Sequence, residues 1–141
     1  MTESTRAIAA TVAALPGSAA QRFGDHLAAR HRVDGEWREV TYTEAVEAIA
    51  EVALGLADLG IAPGDRVGVL ADTRLEWTVA SYGISAAGGV VVPVYPTSSA
   101  RECAWVLGNS GARALVCEDE AQVTKIAEVR DELPELGSVV W

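Results

Sequence analysis

The sequence predicts an α/β fold: a partial doubly wound, mainly parallel sheet with covering helices and an N-terminal β-hairpin. Three observations predict it. From residue 65 onward, short apolar runs of strand length alternate with segments of helical period. The connections between those runs are long enough to hold helices, which implies parallel pairing through right-handed crossovers. Upstream, Asp34-Gly35 stands between two strand-like runs, the pattern of a tight hairpin.

Residues 1–22 read as an N-terminal arm or weak helix, with Ile8, Val12 and Leu15 on one stripe. Leu27–Arg32 and Trp37–Tyr42 are the two hairpin strands. Thr43 is the expected N-cap of the next helix, with Glu44 and Glu47 favouring its first turns. Val46, Ile49, Ala50, Ala53, Leu56 and Ala57 then fall at helical spacing, and Leu59-Gly60 closes the helix. Gly60, Pro63 and Gly64 make a structural turn, because proline fixes φ and the glycine after it frees the next position.

Val67–Ala71 is a short apolar strand. Asp72 and Thr73 are candidate caps for a helix that ends at Gly88-Gly89. Leu75, Val79, Tyr82 and Ala86 form its apolar stripe, with Trp77, Ile84 and Ala87 beside it. Val90–Val94 is continuously apolar, as in a strand covered on both faces. Pro93 removes a ladder donor and is expected at a strand end or bulge. Tyr95-Pro96-Thr97 is a turn, and Ser98 or Ser99 caps a helix carrying Cys103, Val106 and Leu107 that Asn109–Gly111 ends. Ala112–Cys117 is another strand. Glu118–Glu132 reads as a polar helix with an acidic first turn and an inner stripe of Val123, Ile126, Ala127 and Val129 or Arg130; Pro134 breaks it. Ser138–Trp141 starts a further strand. A sheet built of βα units continues past such a strand, so the sequence reads as the first part of a longer chain.

Composition narrows the function. The 141 residues are 50% hydrophobic and 22% charged, which is globular rather than disordered. The formal net charge of -9 argues against a nucleic-acid partner and against attachment to anionic lipid through a basic patch. No apolar stretch is long enough to span a bilayer, and Ala7–Ala14, with Glu3 and Arg6 before it, makes a poor signal peptide. Cys103 and Cys117 do not make a disulfide framework, so a reduced, cytoplasmic setting fits best.

Most chemistry-bearing patterns are missing. His26 and His31 have no cysteine at ligand spacing. Cys103 on a helix face and Cys117 at a strand end read as core residues. Gly108-Asn109-Ser110-Gly111 runs from helix to strand, the reverse of a hydrolase elbow. Lys125, the chain's single lysine, sits in a helix without a phosphate-binding glycine loop, and Ala71-Asp72-Thr73-Arg74 lacks the glycines of a dinucleotide turn. Two strand-end turns remain. Arg74 and Glu76-Trp77 lie where α/β sheets keep ligand crevices, although Trp77 also suits an anchor of helix on sheet. Thr97, Ser98 and Ser99 either line a crevice or cap the following helix.

A series of segments resembles the opening of the AMP-forming acyl-CoA synthetases, the adenylate-forming ligases. The segments are Val40–Ala45, Ala57–Val67, Thr73–Trp77, Ala87–Ser99 and Asn109–Arg113. Val92–Ser99 looks most like the long-chain fatty-acid branch, where a Pro-x-Tyr-x-Thr segment is typical. The resemblance implies that residues 23–141 are the incomplete N-terminal part of the large adenylate-forming domain. It implies a parent fatty-acid–CoA ligase using ATP, CoA and Mg2+, with fatty acid as substrate. That family's phosphate loop, Tyr-Gly-x-Thr-Glu segment, ribose-binding aspartate and C-terminal lysine have no counterpart here. No catalytic, cofactor-binding or metal-binding residue is therefore assigned to this chain, which alone is expected to be inactive. The resemblance also implies transient membrane contact, and the arm is a candidate intersubunit element of a homodimer. Two alternatives stand beside it: an aryl, medium-chain or amino-acid adenylating relative, and a non-catalytic α/β binding or interaction protein.

Overall fold

A computed structural model describes residues 11–141. Ile8 and the rest of residues 1–10 of the expected arm lie outside the described residues. A 3-10 turn over Val12–Ala14 leads into α1 (Leu15–Phe23), then β1 (Leu27–Val33), β2 (Glu36–Thr41) and α2 (Tyr42–Asp58). There follow β3 (Arg66–Leu70), α3 (Leu75–Ala86), β4 (Val90–Val94), α4 (Ala100–Ser110), β5 (Ala112–Cys117), α5 (Glu120–Ala127) and β6 (Ser138–Val140). The four later strands form one sheet in the order β4-β3-β5-β6, every adjacent pair parallel. β1 and β2 form a separate antiparallel hairpin. The doubly wound reading therefore holds.

The hairpin turns where its sequence says it should. Asp34 and Gly35 both take positive φ, 51° and 85°, the geometry whose twist matches paired strands. The second strand stops one residue earlier than expected, because Thr41 and not Thr43 caps α2. Thr41 stands three residues before Glu44, so its Oγ1 accepts from the Glu44 amide (3.2 Å) while the Glu44 carboxylate accepts from the Thr41 amide (2.8 Å). Thr43 instead donates its hydroxyl to Asp25 (3.2 Å). The end of α1 docks beside this cap, with the Phe23 and Tyr42 rings 5.1 Å apart, whereas Val12 and Leu15 of the expected stripe stay exposed.

Two core layers lie on opposite faces of the sheet. Val67 and Val69 of β3 and Ala114 of β5 meet Leu56 and Ile84 on the α2–α3 side. Leu70 and Leu115, the alternate positions, meet Leu107 of α4 and Ile126 of α5 on the other. The α3 face that goes inward differs from the expected stripe. Ala80, Gly83 and Ile84 are buried, because α3 crosses α2 so closely that a Cβ at Gly83 would lie 2.5 Å from Val52 Cγ1. Larger residues such as Leu75, Val79 and Tyr82 flank that contact.

Further details depart from expectation. β4 meets both core layers, through Val91 on the α2–α3 side and Val94 on the other, as its apolar run suggests, but it is an edge strand and its first residue, Val90, is 49% exposed. Pro93 sits inside β4 in regular register opposite Val69, at neither an end nor a bulge. An edge strand has one side without a ladder partner, which is where a missing N–H does no harm. Neither Asp72 nor Thr73 caps α3; Arg74 is the N-cap residue and supplies no side-chain bond. The helix expected over Glu118–Glu132 is shorter: Asp119 caps α5, which ends at Ala127, and a 3-10 turn covers Arg130–Glu132. Arg130 donates to the carbonyls of Leu133 and Leu136, and those two leucines are buried, which turns the chain back onto the core before the helix can continue. Of the expected stripe, Ile126 and Val129 are buried and Val123 packs against the core, whereas Ala127 is exposed and Gln122 is buried.

Candidate functional site

Parallel strands put their carboxyl ends together. α3 leaves β3 on one face of the sheet, while α4 and α5 leave β4 and β5 on the other. Each neighbour pair around β3 therefore splays its outgoing chain to opposite faces, which opens crevices at the strand ends. The β3–β5 crevice is closed by one residue. Glu118 donates its amide to Leu70 O (3.1 Å), and its carboxylate accepts from the Asp72 amide (2.8 Å) and from Gln122 Nε2 (3.4 Å). The β3–β4 crevice stays open as a cavity of about 250 Å3, walled by Ala71–Thr73, Trp77 and Pro93–Pro96.

The loop between β4 and α4 forms the outer wall. Ser98 N donates to Tyr95 O (3.0 Å) and closes a turn with Pro96 inside it. Ser99, of the two serines, takes the cap. Its Oγ accepts from the Glu102 amide, and the Glu102 carboxylate accepts from the Ser99 amide and hydroxyl at 2.7 and 2.8 Å. Those bonds, the one from the Ser99 amide first, hold the Glu102 carboxyl below the usual range. Thr97 is exposed, and Tyr95 is 80% exposed at the mouth of the crevice. From α5, Lys125 Nζ donates to Pro96 O (2.6 Å) and Ser98 O (3.0 Å).

The other expected turn divides. Trp77 is half-buried against the α2–α3 core and also walls the crevice, so it serves as anchor and lining together. Arg74 and Glu76 face away from it, into a groove of about 640 Å3 beside the hairpin that also includes His31, Arg32 and Trp37. Arg74 Nε donates to Glu76 Oε2 at 2.8 Å. That hydrogen bond raises the Arg74 pKa and lowers that of Glu76. Both side chains are about half exposed (46% and 57%), so the pair satisfies itself at the surface and adds little to stability. A larger apolar groove of about 750 Å3 runs between α2, α3 and the β5–β6 edge, with Val116, Val140 and Trp141 along the sheet side.

Sequence reasoning missed Glu118 and Lys125. The signals are faint: Glu118 is the first residue past β5, and Lys125 is the chain's lone lysine. Both cysteines are free and buried, as expected of core residues. Burial pushes the Cys103 thiol up, and pushes Cys117 up to about 12. At pH 8 a thiol titrating near 12 is about a thousandfold less ionised than a free one. Neither cysteine is therefore expected to react with Ellman's reagent in the folded protein, and both should react once urea unfolds it. The same shift sets a pH dependence. Between roughly 8.5, where an unfolded thiol ionises, and about 12, the unfolded chain binds fewer protons than the folded one. Stability from Cys117 is therefore full below that window and falls as pH rises through it.

The residues at the crevice do not suit the triphosphate end of ATP with its Mg2+. Asp72 is the one carboxylate on its walls, no glycine-rich turn faces it, and among the described residues no group of three or more His, Cys, Asp and Glu lies where a metal ion could be held. His26 instead shares a 2.6 Å contact with Phe23 O. No step of a reaction at ATP is assigned to these side chains. The walls are mostly apolar and include Trp77 and Tyr95.

Residues 17–141 match the family described as AMP-binding enzyme. Over 116 residues the chain is 40% identical to long-chain-fatty-acid–CoA ligase FadD15 of Mycobacterium tuberculosis, covering 82% of this chain and 19% of that protein. Over 119 residues it is 33% identical to long-chain-fatty-acid–CoA ligase ACSBG2 of Xenopus laevis, covering 84% of this chain and 16% of that protein. The chain thus spans about a fifth of the length of such relatives. Its fold superposes on the crystal structure of a long-chain-fatty-acid–CoA ligase (FadD1) from Archaeoglobus fulgidus with a TM-score of 0.83 at 22% identity, covering 95% of this chain and 28% of that one. That likeness speaks to the fold alone. With most of its length matched to one family, and with the parallel sheet and strand-end crevice in place, this chain belongs to the AMP-binding enzyme family.

Proposed function

We propose that residues 23–141 are the N-terminal part of the large domain of a long-chain fatty-acid–CoA ligase. In that reaction the fatty-acid carboxylate attacks the α-phosphate of ATP and releases pyrophosphate. The thiol of CoA then attacks the acyl-adenylate, giving the thioester and AMP. Mg2+ would offset phosphate charge in the first step. The observation that carries this reading is the 40% identity over 116 residues to FadD15. The open apolar groove along β6 supports it as well, since an apolar face beside an edge strand calls for a covering layer.

These residues contribute scaffold, with one exception. The Pro93–Thr97 segment approaches the acyl or adenylate group, a role supported by its place at the mouth of the open crevice. In the full-length enzyme, Tyr95→Ala and Thr97→Ala are expected to change kinetics or chain-length preference; unchanged values would remove that role. The chain alone is expected to give no detectable ATP–pyrophosphate exchange with a fatty acid. A rate near that of an intact synthetase would contradict the whole reading. The reading extends to a cytoplasmic location, transient membrane contact during delivery of long-chain substrate, and a homodimer. The net charge of -9 argues against a basic patch for anionic lipid on these residues, and among the described residues no helix is long and apolar enough to cross a membrane.

A further inference from the structure

We propose that Lys125 is a positioning residue for the strand-end crevice: its ammonium group, shared between Pro96 O and Ser98 O, holds the β4–α4 loop in the shape that places Tyr95 and Thr97 at the mouth. The proposal rests on the reading of that crevice as ligand-facing.

The need for such a tether follows from what the loop lacks. Tyr95 is 80% exposed and Thr97 is exposed, so packing of their side chains does not fix the segment. Pro96 has no N–H. Inside the turn one main-chain bond, Ser98 N to Tyr95 O, defines the backbone. The carbonyls of Pro96 and Ser98 point inward and need donors. Lys125, 29 residues further along the chain, supplies both, at 2.6 and 3.0 Å. Cys103 Sγ adds a weak contact to Ser98 O at 3.8 Å. A charged donor makes bonds about twice as strong as a neutral one, and a compact ammonium can serve two carbonyls at once. The same bonds tie α5 to the loop that follows β4.

The test uses the full-length enzyme carrying these residues. Lys125→Met is compared with Lys125→Arg, which keeps charged donors, and Tyr95→Ala tests the crevice reading separately. Steady-state kinetics are read with hydrogen exchange of the peptide covering residues 95–99. Lys125→Met is expected to raise KM for fatty acid or ATP about tenfold, the loss of roughly one charge-assisted bond. Its kcat should stay within about twofold. Exchange should quicken in 95–99 and stay as before in β4. Lys125→Arg should restore KM to within about threefold. Where the methionine variant does not fold, Lys125→Gln, which keeps a donor for one carbonyl, should show an intermediate rise. Unchanged exchange at 95–99 would overturn the proposal and leave the crevice reading standing. A lower melting temperature with wild-type KM would also overturn it, since that is what a purely structural tether does. Faster exchange in Lys125→Met together with unaltered kinetics in Tyr95→Ala would overturn the crevice reading, and the positioning role with it.

Discussion

Leu115→Ala is expected to cost about 4 kcal/mol of folding stability, toward the upper end for a buried leucine. Leu115 is fully buried in β5, between β3 and β6, and packs with Leu70, Leu107 and Ile126. The cost depends on how well a site can collapse, and here collapse is hindered by the sheet on one side and two helices on the other. The space is also shared. A Cβ at Gly68 on the neighbouring strand would lie 2.6 Å from Leu115 Cδ1 and 2.7 Å from Leu107 Cδ2. Gly68→Ala alone is therefore expected to cost about 2 kcal/mol, because two buried leucines must move. In the Leu115→Ala background one of these two clashes is gone while that with Leu107 remains, and the second substitution should cost about 1 kcal/mol less than in the wild type. Urea midpoints of the four proteins, with slopes checked for constancy, measure this directly. Strictly additive losses would mean that Leu115 does not fill the space over Gly68.

The glycine in β3 also shows which features could be read locally. Val67–Ala71 and Ala112–Cys117 were legible as strands, the first displaced by one residue from β3, because each is an apolar run between turn signals, and a glycine inside such a run already hints at a close approach. A serine cap before α4 was legible, but Ser98 and Ser99 stood as equals until the structure chose Ser99, three residues before Glu102; the identical spacing from Thr41 to Glu44 was present but obscured, because Tyr42 extended the alternation of the strand before it. Pro93 signalled a conflict, but local sequence carries no strand order, so the edge position that resolves it had to come from the fold. On α3, apolar residues surround most of the helix, and periodicity could not choose the face that Gly83 decides. The crevice residues failed for another reason. Glu118 acts on Asp72 and Lys125 on Pro96, across separations of 46 and 29 residues, where no periodic pattern reaches.

Arg66→Met is expected to lower stability by about 3 kcal/mol while leaving the kinetics of the folded enzyme unchanged. Arg66 opens β3 and is half-buried. Its Nε donates to Ser110 O at 2.8 Å and its Nη2 to Gly111 O at 2.9 Å, both partly buried; Nη1 to Gly64 O, at 3.2 Å and exposed, adds little. The first two bonds satisfy carbonyls at the C-terminal end of α4, where a helix has orphan acceptors and favours a cation. Gly111 makes the approach feasible: it turns at φ 65°, and a Cβ there would lie 2.8 Å from Arg66 Nη2. Removing the guanidinium leaves two partly buried carbonyls without donors, at about 1–3 kcal/mol each with partial relief from water. Lysine cannot reproduce the fork, so Arg66→Lys should recover less than half of the loss. α4 thus has one end tied by Arg66 at the amino edge of the sheet and the other, capped by Ser99, at the crevice. If function resides at the crevice end alone, Arg66→Met lowers the urea midpoint with unchanged KM, and Lys125→Met changes KM with a smaller effect on the midpoint. An equal KM change in both variants would mean that α4 moves as a rigid rod and that the crevice senses its far end.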